Sequence, residues 1–556
     1  MKSIKMFISA VLAAVMFSAC AAGNGSSFDT ADVAEPEPQL IQYQYDHELN
    51  IIDDNYRNYY EVFLYSYCDS NGDGIGDING LISKLDYIND MGFNGIWLMP
   101  VMQSTTYHKY DVIDYYTVDK EYGTNEDFIN LADECHKRGI KLIIDMVINH
   151  TSVQNEWFKS ACQSLKHENC GQEQCIYKDL CPQHNPYCSY YNFTDEKPTS
   201  NDWYSVSGTD YYYEGIFWDQ MPDLNLDNEQ VWNELEKIAS YWLIDMKCDG
   251  FRLDAAKEYF SGDTDKNVAV LKRFYDYCKS IKSDCYNVAE VWDSFTLYTK
   301  YYDSGIDSVF GFTLAQEDGK IVKTLNSSGP NNSAKSFAEA QALISKVIHS
   351  NNKNAIDAPF LTNHDTARAA GYFSGDSDKI KMAAGMILTM QGSPFVYYGE
   401  EIGMSGSGKH ENIRAPMLWS NENSNGMTNG PKDAVIQPSA FEAVDKQLDD
   451  PASILNYYKR ALRIRNENPE IARGSVTEIA LENADICAVK RNYNGSSLTI
   501  VYNFSHETLN LTDAALELDK NDIRGYLTVS PYEEITLENG ILKMPKYSIV
   551  ILKEGE

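Results

Sequence analysis

Short β-rich runs alternate with amphipathic helical patterns from about residue 60 to residue 466, and this predicts an α/β protein with a parallel sheet and helices outside it. The alternation alone leaves two forms open, a closed barrel and an open doubly wound sheet. Two further observations complete the outline. A cysteine-rich stretch without apolar periodicity interrupts the alternation, and beyond residue 470 the β-rich runs are separated by turn residues only.

The elements follow in order. Residues 60–65 are strand-like and lead into a glycine-rich turn, after which Ile78, Leu81, Ile82 and Leu85 share one helical face. The next strand is 93–98. A helix carrying Phe128, Leu131, Ala132 and Cys135 precedes the strand 140–145, and one carrying Val231, Leu235, Ile238 and Trp242 precedes 250–254. Later strands are 286–291, 358–362 and 394–398. No Gly-x-Gly-x-x-Gly follows the first strand, which argues against a dinucleotide site. The runs 485–489 and 498–503 belong to a C-terminal antiparallel β-sandwich over 471–556.

At the other end, Lys2 and Lys5 precede an apolar run over 6–17 and small residues before Cys20. That run is too short to span a bilayer and reads as an export signal over 1–20. It resembles the lipobox of bacterial lipoproteins, which implies a lipidated Cys20, a membrane contact through that anchor only, and an exported protein held on the cell envelope. Residues 21–52 read as a flexible acidic tether. No later stretch is long and apolar enough to cross a membrane.

Twelve cysteines suit an oxidising compartment, and five of them, Cys162, Cys170, Cys175, Cys181 and Cys188, fall in the irregular stretch. Neither Cys-x-x-Cys nor His-x-x-x-His occurs there, so disulfides are expected in preference to zinc. Five is odd, so one thiol is free or pairs elsewhere.

The 556 residues are 43% apolar, enough for a sizeable core, and carry 47 basic against 81 acidic side chains, a formal charge of −34. Nucleic acid is excluded as a partner, because neutralising phosphates takes clustered Lys and Arg. Neutral sugars, metal cations and proteins remain.

The ionisable residues gather at strand ends: Asp145, Asn149 and His150; Arg252 and Asp254; Glu290; Asn363, His364 and Asp365. In a barrel these ends converge on one face around a pocket. Asp254, Glu290 and Asp365 would then share a cleft, where repulsion and burial keep one carboxyl protonated while another stays ionised. Glycoside hydrolysis needs such a pair.

Five stretches, Asp145 to His150, Met221 to Asn225, Gly250 to Lys257, Ala289 to Asp293 and Phe360 to Asp365, resemble in order the motifs of the α-amylase family of glycoside hydrolases. The likeness is greatest to exported lipoprotein amylases of the group between oligo-1,6-glucosidases and neopullulanases. It implies a (β/α)₈ barrel of the TIM type over 53–149 and 216–470, with the irregular insertion, 150–215, after the third strand. It further implies Asp254 as nucleophile, Glu290 as acid/base and Asp365 as the group that grips sugar hydroxyls. Arg252 would hold Asp254 ionised, His150 and His364 would bond the sugar, Tyr110 would stack beneath its ring and Lys257 would border the leaving-group side.

Asp69, Asn71, Asp73, Ile75 and Asp77 place oxygens on alternate positions of a glycine-rich loop, as a hard cation requires. It is not an EF-hand, since Gly80 stands where the bidentate Glu belongs. It resembles the family's loop for structural Ca²⁺, with Ile75 using its carbonyl. Asn149 is a ligand of a second calcium in many relatives, and that site stays open.

Ala255 after the nucleophile resembles the α-1,4 type. Exo-acting relatives often carry an acidic residue three positions before the stacking tyrosine, and here that position is Tyr107. The resemblance therefore implies an endo-hydrolase of α-1,4-glucans such as starch and maltodextrins; a monomer is expected, though nothing in the sequence fixes the oligomeric state. Its rivals are an α-glucosidase, a neopullulanase, a 4-α-glucanotransferase and, from another class, a non-catalytic glucan-binding lipoprotein. The pair Lys257-Glu258 departs from the Lys-His of many relatives and leaves product pattern and transglycosylation open.

Overall fold

Seven parallel strands form one curled sheet: β1 (Tyr59–Val62), β2 (Gly95–Leu98), β3 (Lys141–Met146), β4 (Gly250–Leu253), β5 (Tyr286–Ala289), β6 (Ser308–Val309) and β7 (Phe395–Tyr397). Their order is β6-β5-β4-β3-β2-β1-β7. The segment 358–360 closes it, bridging Phe310 to Ala358 on one edge and Phe360 to Phe395 on the other. Eight segments thus complete a barrel, although the expected strand 358–362 makes single bridges and no ladder. This is a computed structural model, and it describes residues 40, 46–173, 175–327 and 333–554. The expected signal, Cys20 and most of the tether lie outside the described residues.

Strand alternation decides which side chains enter the barrel. Tyr59, Trp97, Ile143, Val288, Phe360 and Phe395 form a buried inner cluster, in which the Tyr59 ring stacks on Phe395 at 4.6 Å and on Tyr286 at 5.2 Å. Each such pair contributes about 0.5–1.5 kcal/mol beyond the area it buries. Gly95 is required beside this stack, since a Cβ there would lie 2.6 Å from the Tyr59 ring. The intervening residues, Tyr60, Val62, Ile96, Leu98, Leu142 and Ile144, face outward into the core shared with the helices.

Some boundaries differ from the sequence reading. β1 stops at Val62 because the chain turns into a 3₁₀ segment, Leu64–Ser66. The helix through Leu85 is two, Ile78–Ser83 and Leu85–Met91, interrupted at Lys84. Trp242 lies in a π-turn, Tyr241–Asp245, that follows the helix Glu229–Ser240. Its indole N–H donates to the Tyr115 carbonyl at 2.8 Å.

The insertion leaves the barrel after β3. It contains the helix Glu156–Ser164, two 3₁₀ turns, Lys178–Leu180 and Pro186–Ser189, and a three-stranded sheet of Phe193–Thr194, Tyr212–Glu214 and Trp203–Ser205. Bridges from His150 to Asp223 and from Tyr191 to Leu224 return it to the barrel. The expected disulfides are not formed: all eleven described cysteines are free thiols. Three of the five in the insertion, Cys170, Cys175 and Cys181, gather with His184 instead of pairing. Six others, among them Cys135, Cys248 and Cys278, are buried as small apolar core residues.

The helix Pro469–Arg473 runs past the expected domain boundary, and the C-terminal strands begin at Ser475. A five-stranded and a three-stranded antiparallel sheet follow. Period-2 alternation divides the larger sheet: Cys487, Val489, Ile500, Tyr502, Ile549 and Ile551 join the barrel core, while Ile486, Ala488, Val501, Val550 and Leu552 face the second sheet.

Residues 46–52, assigned to the tether by sequence, are held to the body. Asp46 pairs with Arg460, the His47 N–H donates to Glu467 at 3.1 Å and the Asn50 N–H donates to the Asn466 carbonyl at 2.8 Å. No helix of the described residues is long and apolar enough to cross a membrane.

Candidate active site

The same alternation aims Glu61, Asp145, Arg252, Asp254 and Glu290 inward at the C-terminal ends of the strands. Arg252 is the centre. Its Nη1 lies 2.8 Å from Asp145 and 2.6 Å from Asp254, and its Nη2 lies 2.9 Å from Glu290. The guanidinium is buried over the Trp97 ring at 5.2 Å. A cation taken that far from water is tolerable only with such partners, and three carboxyls supply them.

The chain turns sharply after Asp254. Ala255 adopts a left-handed φ of 47°, unusual for a residue with a Cβ, and its N–H then donates to Glu290 Oε2 at 3.1 Å. Burial pushes the Glu290 carboxyl above the usual range, and the charges of Asp254 and Asp365 add to it against the pull of Arg252. Burial likewise lifts Asp145 to about 7, again opposed by Arg252.

Asp365 stands across the cleft in a different field. It receives His364 Nε2 at 2.9 Å, Arg414 Nη2 at 2.8 Å and His410 Nδ1 at 3.1 Å. Burial alone would raise it, but the charge of His364, the hydrogen bonds from His364 and His410 and the charge of Arg414 hold it well below the carboxylate norm. Burial would lower His364, yet Asp365 and Glu61, the latter 2.6 Å from Nδ1, outweigh it and hold the imidazole at about 9. His364 is therefore an imidazolium at neutral pH. The Tyr110 ring stacks on it, with centroids 5.7 Å apart, and the Tyr110 hydroxyl donates to Asp145 at 3.0 Å.

His150 is buried at the cleft wall, and its Nε2 has no protein partner. Burial lowers its pKa, so it is neutral and has one ring nitrogen to offer a ligand. Its neighbour Asn149 donates to Asp223 at 3.0 Å, and burial raises Asp223 to about 8. Lys257 stands at the cleft's edge, 3.4 Å from Asp293 and 3.6 Å from Glu258.

Together these residues border a cleft of about 690 Å³. Asp254, Glu290, Asp365, Tyr110, His150 and Lys257 line it, and Arg252 and His364 support it from beneath. Sequence reasoning left out several contributors. Glu61 anchors His364, just as Asp145, already placed at a strand end by the sequence, anchors Tyr110 and Arg252. Phe217, Trp218 and Trp292 form aromatic walls, with exposures of 46%, 40% and 46%. The signal for the first two was the aromatic run of the insertion, Tyr211 to Trp218.

The loop after β1 lies elsewhere; none of Asp69, Asn71, Asp73, Ile75 and Asp77 lines the cleft. Its side-chain oxygens are oriented by the loop's own amides. Asp69 accepts from the N–H groups of Asn71, Gly72 and Gly74, Asn71 from Asp73, and Asp73 from Ile75. Asp77 caps the next helix through Gly80 and also binds Ser70. Three carboxylates, an amide oxygen and a carbonyl on one short loop are the donor chemistry of a hard cation. The carboxylates are not drawn together as closely as the Cys170 group.

Residues 61–474 match the family model for the catalytic domain of alpha amylase. The chain is 39% identical over 505 residues to Alpha-amylase 3 of Dictyoglomus thermophilum, with 90% of this chain and 93% of that one covered. It is 30% identical over 461 residues to the 4-alpha-glucanotransferase of Thermotoga maritima, with 81% and 96% covered. Among solved structures, Amy13B of Eubacterium rectale superposes with a TM-score of 0.85 at 42% identity, over 92% of this chain and 97% of that one.

Proposed function

Because the chain belongs to the alpha-amylase family of glycoside hydrolases, we propose that it cuts internal α-1,4 bonds of starch and maltodextrins by double displacement, with retention of configuration. The observation that carries this reading is the pair of carboxyls, Asp254 and Glu290, bonded to the two terminal nitrogens of one guanidinium. Sharing that small planar group keeps them close, as a nucleophile and a proton donor on one glycosidic bond must be.

Asp254, bonded to Arg252 Nη1 at 2.6 Å, attacks the anomeric carbon. Glu290, whose carboxyl burial pushes toward the protonated form, gives its proton to the departing oxygen. The glycosyl-enzyme is then opened by water, whose proton Glu290 takes back. The free Nε2 of His150 and the Asp365 carboxylate would bind the sugar hydroxyls, His364 holds Asp365 in place from beneath at 2.9 Å, and Tyr110 would lie beneath the ring. Internal cleavage is favoured by Tyr107, whose hydroxyl gives Arg414 a neutral partner at 3.3 Å where an acidic residue would close the pocket.

Transfer to a second sugar is the alternative outcome of the same intermediate, and the similarity to a 4-alpha-glucanotransferase keeps it in view. Time-resolved products from maltoheptaose labelled at its reducing end separate these. Mixed shorter oligosaccharides at early times are expected. Glucose as the sole first product would overturn the endo assignment, and products longer than the substrate would establish transfer.

Asp69, Asn71, Asp73, the Ile75 carbonyl and Asp77 would hold Ca²⁺, which ties the loop after β1 together and takes no part in the chemistry. The lipobox-like sequence supports an envelope-anchored protein. Cys20→Ser should release it from the membrane fraction, and an unchanged distribution would refute the anchor.

A further inference from the structure

The segment from Cys175 to His184 has little apolar burial to hold its shape. Ile176, Tyr177 and Leu180 point outward, with exposures of 88%, 67% and 41%, so burial contributes little there. A chain segment in that situation needs a cross-link or a metal. The structure brings together the parts of one. The ligand atoms of Cys170, Cys175, Cys181 and His184 all lie within 4.8 Å of one another.

The distances distinguish the two kinds of link. His184 Nδ1 is 3.3 Å from Cys181 Sγ and 3.5 Å from Cys170 Sγ. With metal–sulfur and metal–nitrogen bonds of about 2.3 and 2.0–2.1 Å, the edges of a tetrahedron around zinc are about 3.5–3.8 Å. A disulfide would use two of the sulfurs and leave the third beside the imidazole without a role. The site is also supported from behind. The N–H groups of His184 and Asn185 both donate to the Cys181 carbonyl at 2.9 Å, which folds Cys181-Pro182-Gln183-His184 so that thiol and ring face the same point. The Asn185 amide fastens this turn to Ser164 at 2.7 Å, and the Ser164 hydroxyl donates to the Asp179 carbonyl at 2.7 Å.

We propose that the insertion carries a structural zinc ion on Cys170, Cys175, Cys181 and His184. Three thiolates and one imidazole are a borderline-soft donor set that suits Zn²⁺ and not Ca²⁺. Binding displaces one proton from each of the three thiols and leaves a site of net charge −1, with no redox change. Four protein ligands fill the tetrahedron, which makes the metal a clasp and not a catalyst. The cysteine spacing lacks Cys-x-x-Cys, but Cys181-x-x-His184 is the equivalent half-site and was the signal to read.

The test uses the full chain purified without chelator. Elemental analysis should find about one zinc per chain, lost in Cys175→Ser and in His184→Ala, with the three thiols alkylated only after the metal is withdrawn. Should these variants fail to fold, the wild-type protein reconstituted with Co²⁺ still decides the matter. Tetrahedral d–d bands and a thiolate-to-cobalt charge-transfer band are expected, which an oxygen-only site cannot give. Absence of both bands and of zinc after reconstitution under reducing conditions would overturn the proposal. So would a non-reduced peptide map that shows Cys170, Cys175 or Cys181 in a disulfide.

Discussion

At the scale of single residues, one guanidinium organises the cleft. Arg252 holds Asp145, Asp254 and Glu290, so its loss leaves buried carboxyls without compensation. Arg252→Met should cost about 3–5 kcal/mol of stability, read as a lowered thermal midpoint, and should abolish activity as well. Glu290→Gln keeps the shape and removes the proton, so kcat should fall by about 10²- to 10⁴-fold with the thermal midpoint little changed. His364 supplies a pH signature. Its folded pKa of about 9 exceeds the ordinary 6.5, so its stabilising contribution is complete below about 6.5 and is lost as pH rises through about 9. His364→Asn should flatten the decline of the thermal midpoint over that window, and an undiminished slope would assign the decline to other groups. Asp254, Glu290 and Asp365 were legible because they lie at or just past the ends of predicted strands. Glu61 was not, since a carboxylate within a strand announces a function only once its partner, His364, is seen 2.6 Å away.

At the scale of elements, loops and walls matter most. If the loop after β1 holds calcium, a chelator should lower the thermal midpoint by a few degrees, since a ligand at about 100 times its Kd contributes about 2.7 kcal/mol. Asp73→Ala should erase the difference between chelated and calcium-loaded protein while the product pattern stays the same. Trp292 and Trp218 are exposed aromatic faces beside the cleft, and stacking a sugar on each contributes about 1 kcal/mol. Trp292→Ala should therefore raise KM for long maltodextrins roughly fivefold with kcat nearly unchanged; an equal loss in kcat would place it in the chemistry. Periodicity located the strands but not their extents. The segment 358–360 reads as a strand by composition, yet it meets its neighbours only through single bridges. The interruption at Lys84 is a matter of helix packing that no local pattern records.

At the scale of the whole molecule, one face of the larger C-terminal sheet is part of the barrel's own core. Tyr502 packs edge-on against Phe337 at 5.5 Å and shares a hydrogen bond with Thr389 at 3.0 Å. Arg491 is fully buried, with Gln341 as its partner at 2.8 Å. A Cβ on Gly385 would come 2.7 Å from Ile549, so helix and sheet touch with no space between them. Truncation after Gly474 should consequently give an insoluble protein, measured by partition into the pellet; a soluble, active barrel would contradict this packing. The charge of −34 is consistent with a neutral glucan, which needs no positive surface.

The sequence by itself determined the strand and helix periodicity, the order of the five motifs and the identity of the charged residues at strand ends, because each is a local or linear property of the chain. Only the tertiary structure decided that Asp254 and Glu290 share Arg252, that His150 keeps a free nitrogen, and that three insertion cysteines turn toward His184 instead of pairing. Those outcomes depend on distances across the barrel and the insertion, and on burial, which sets the charge state of each group. Neither is written in the spacing along the chain.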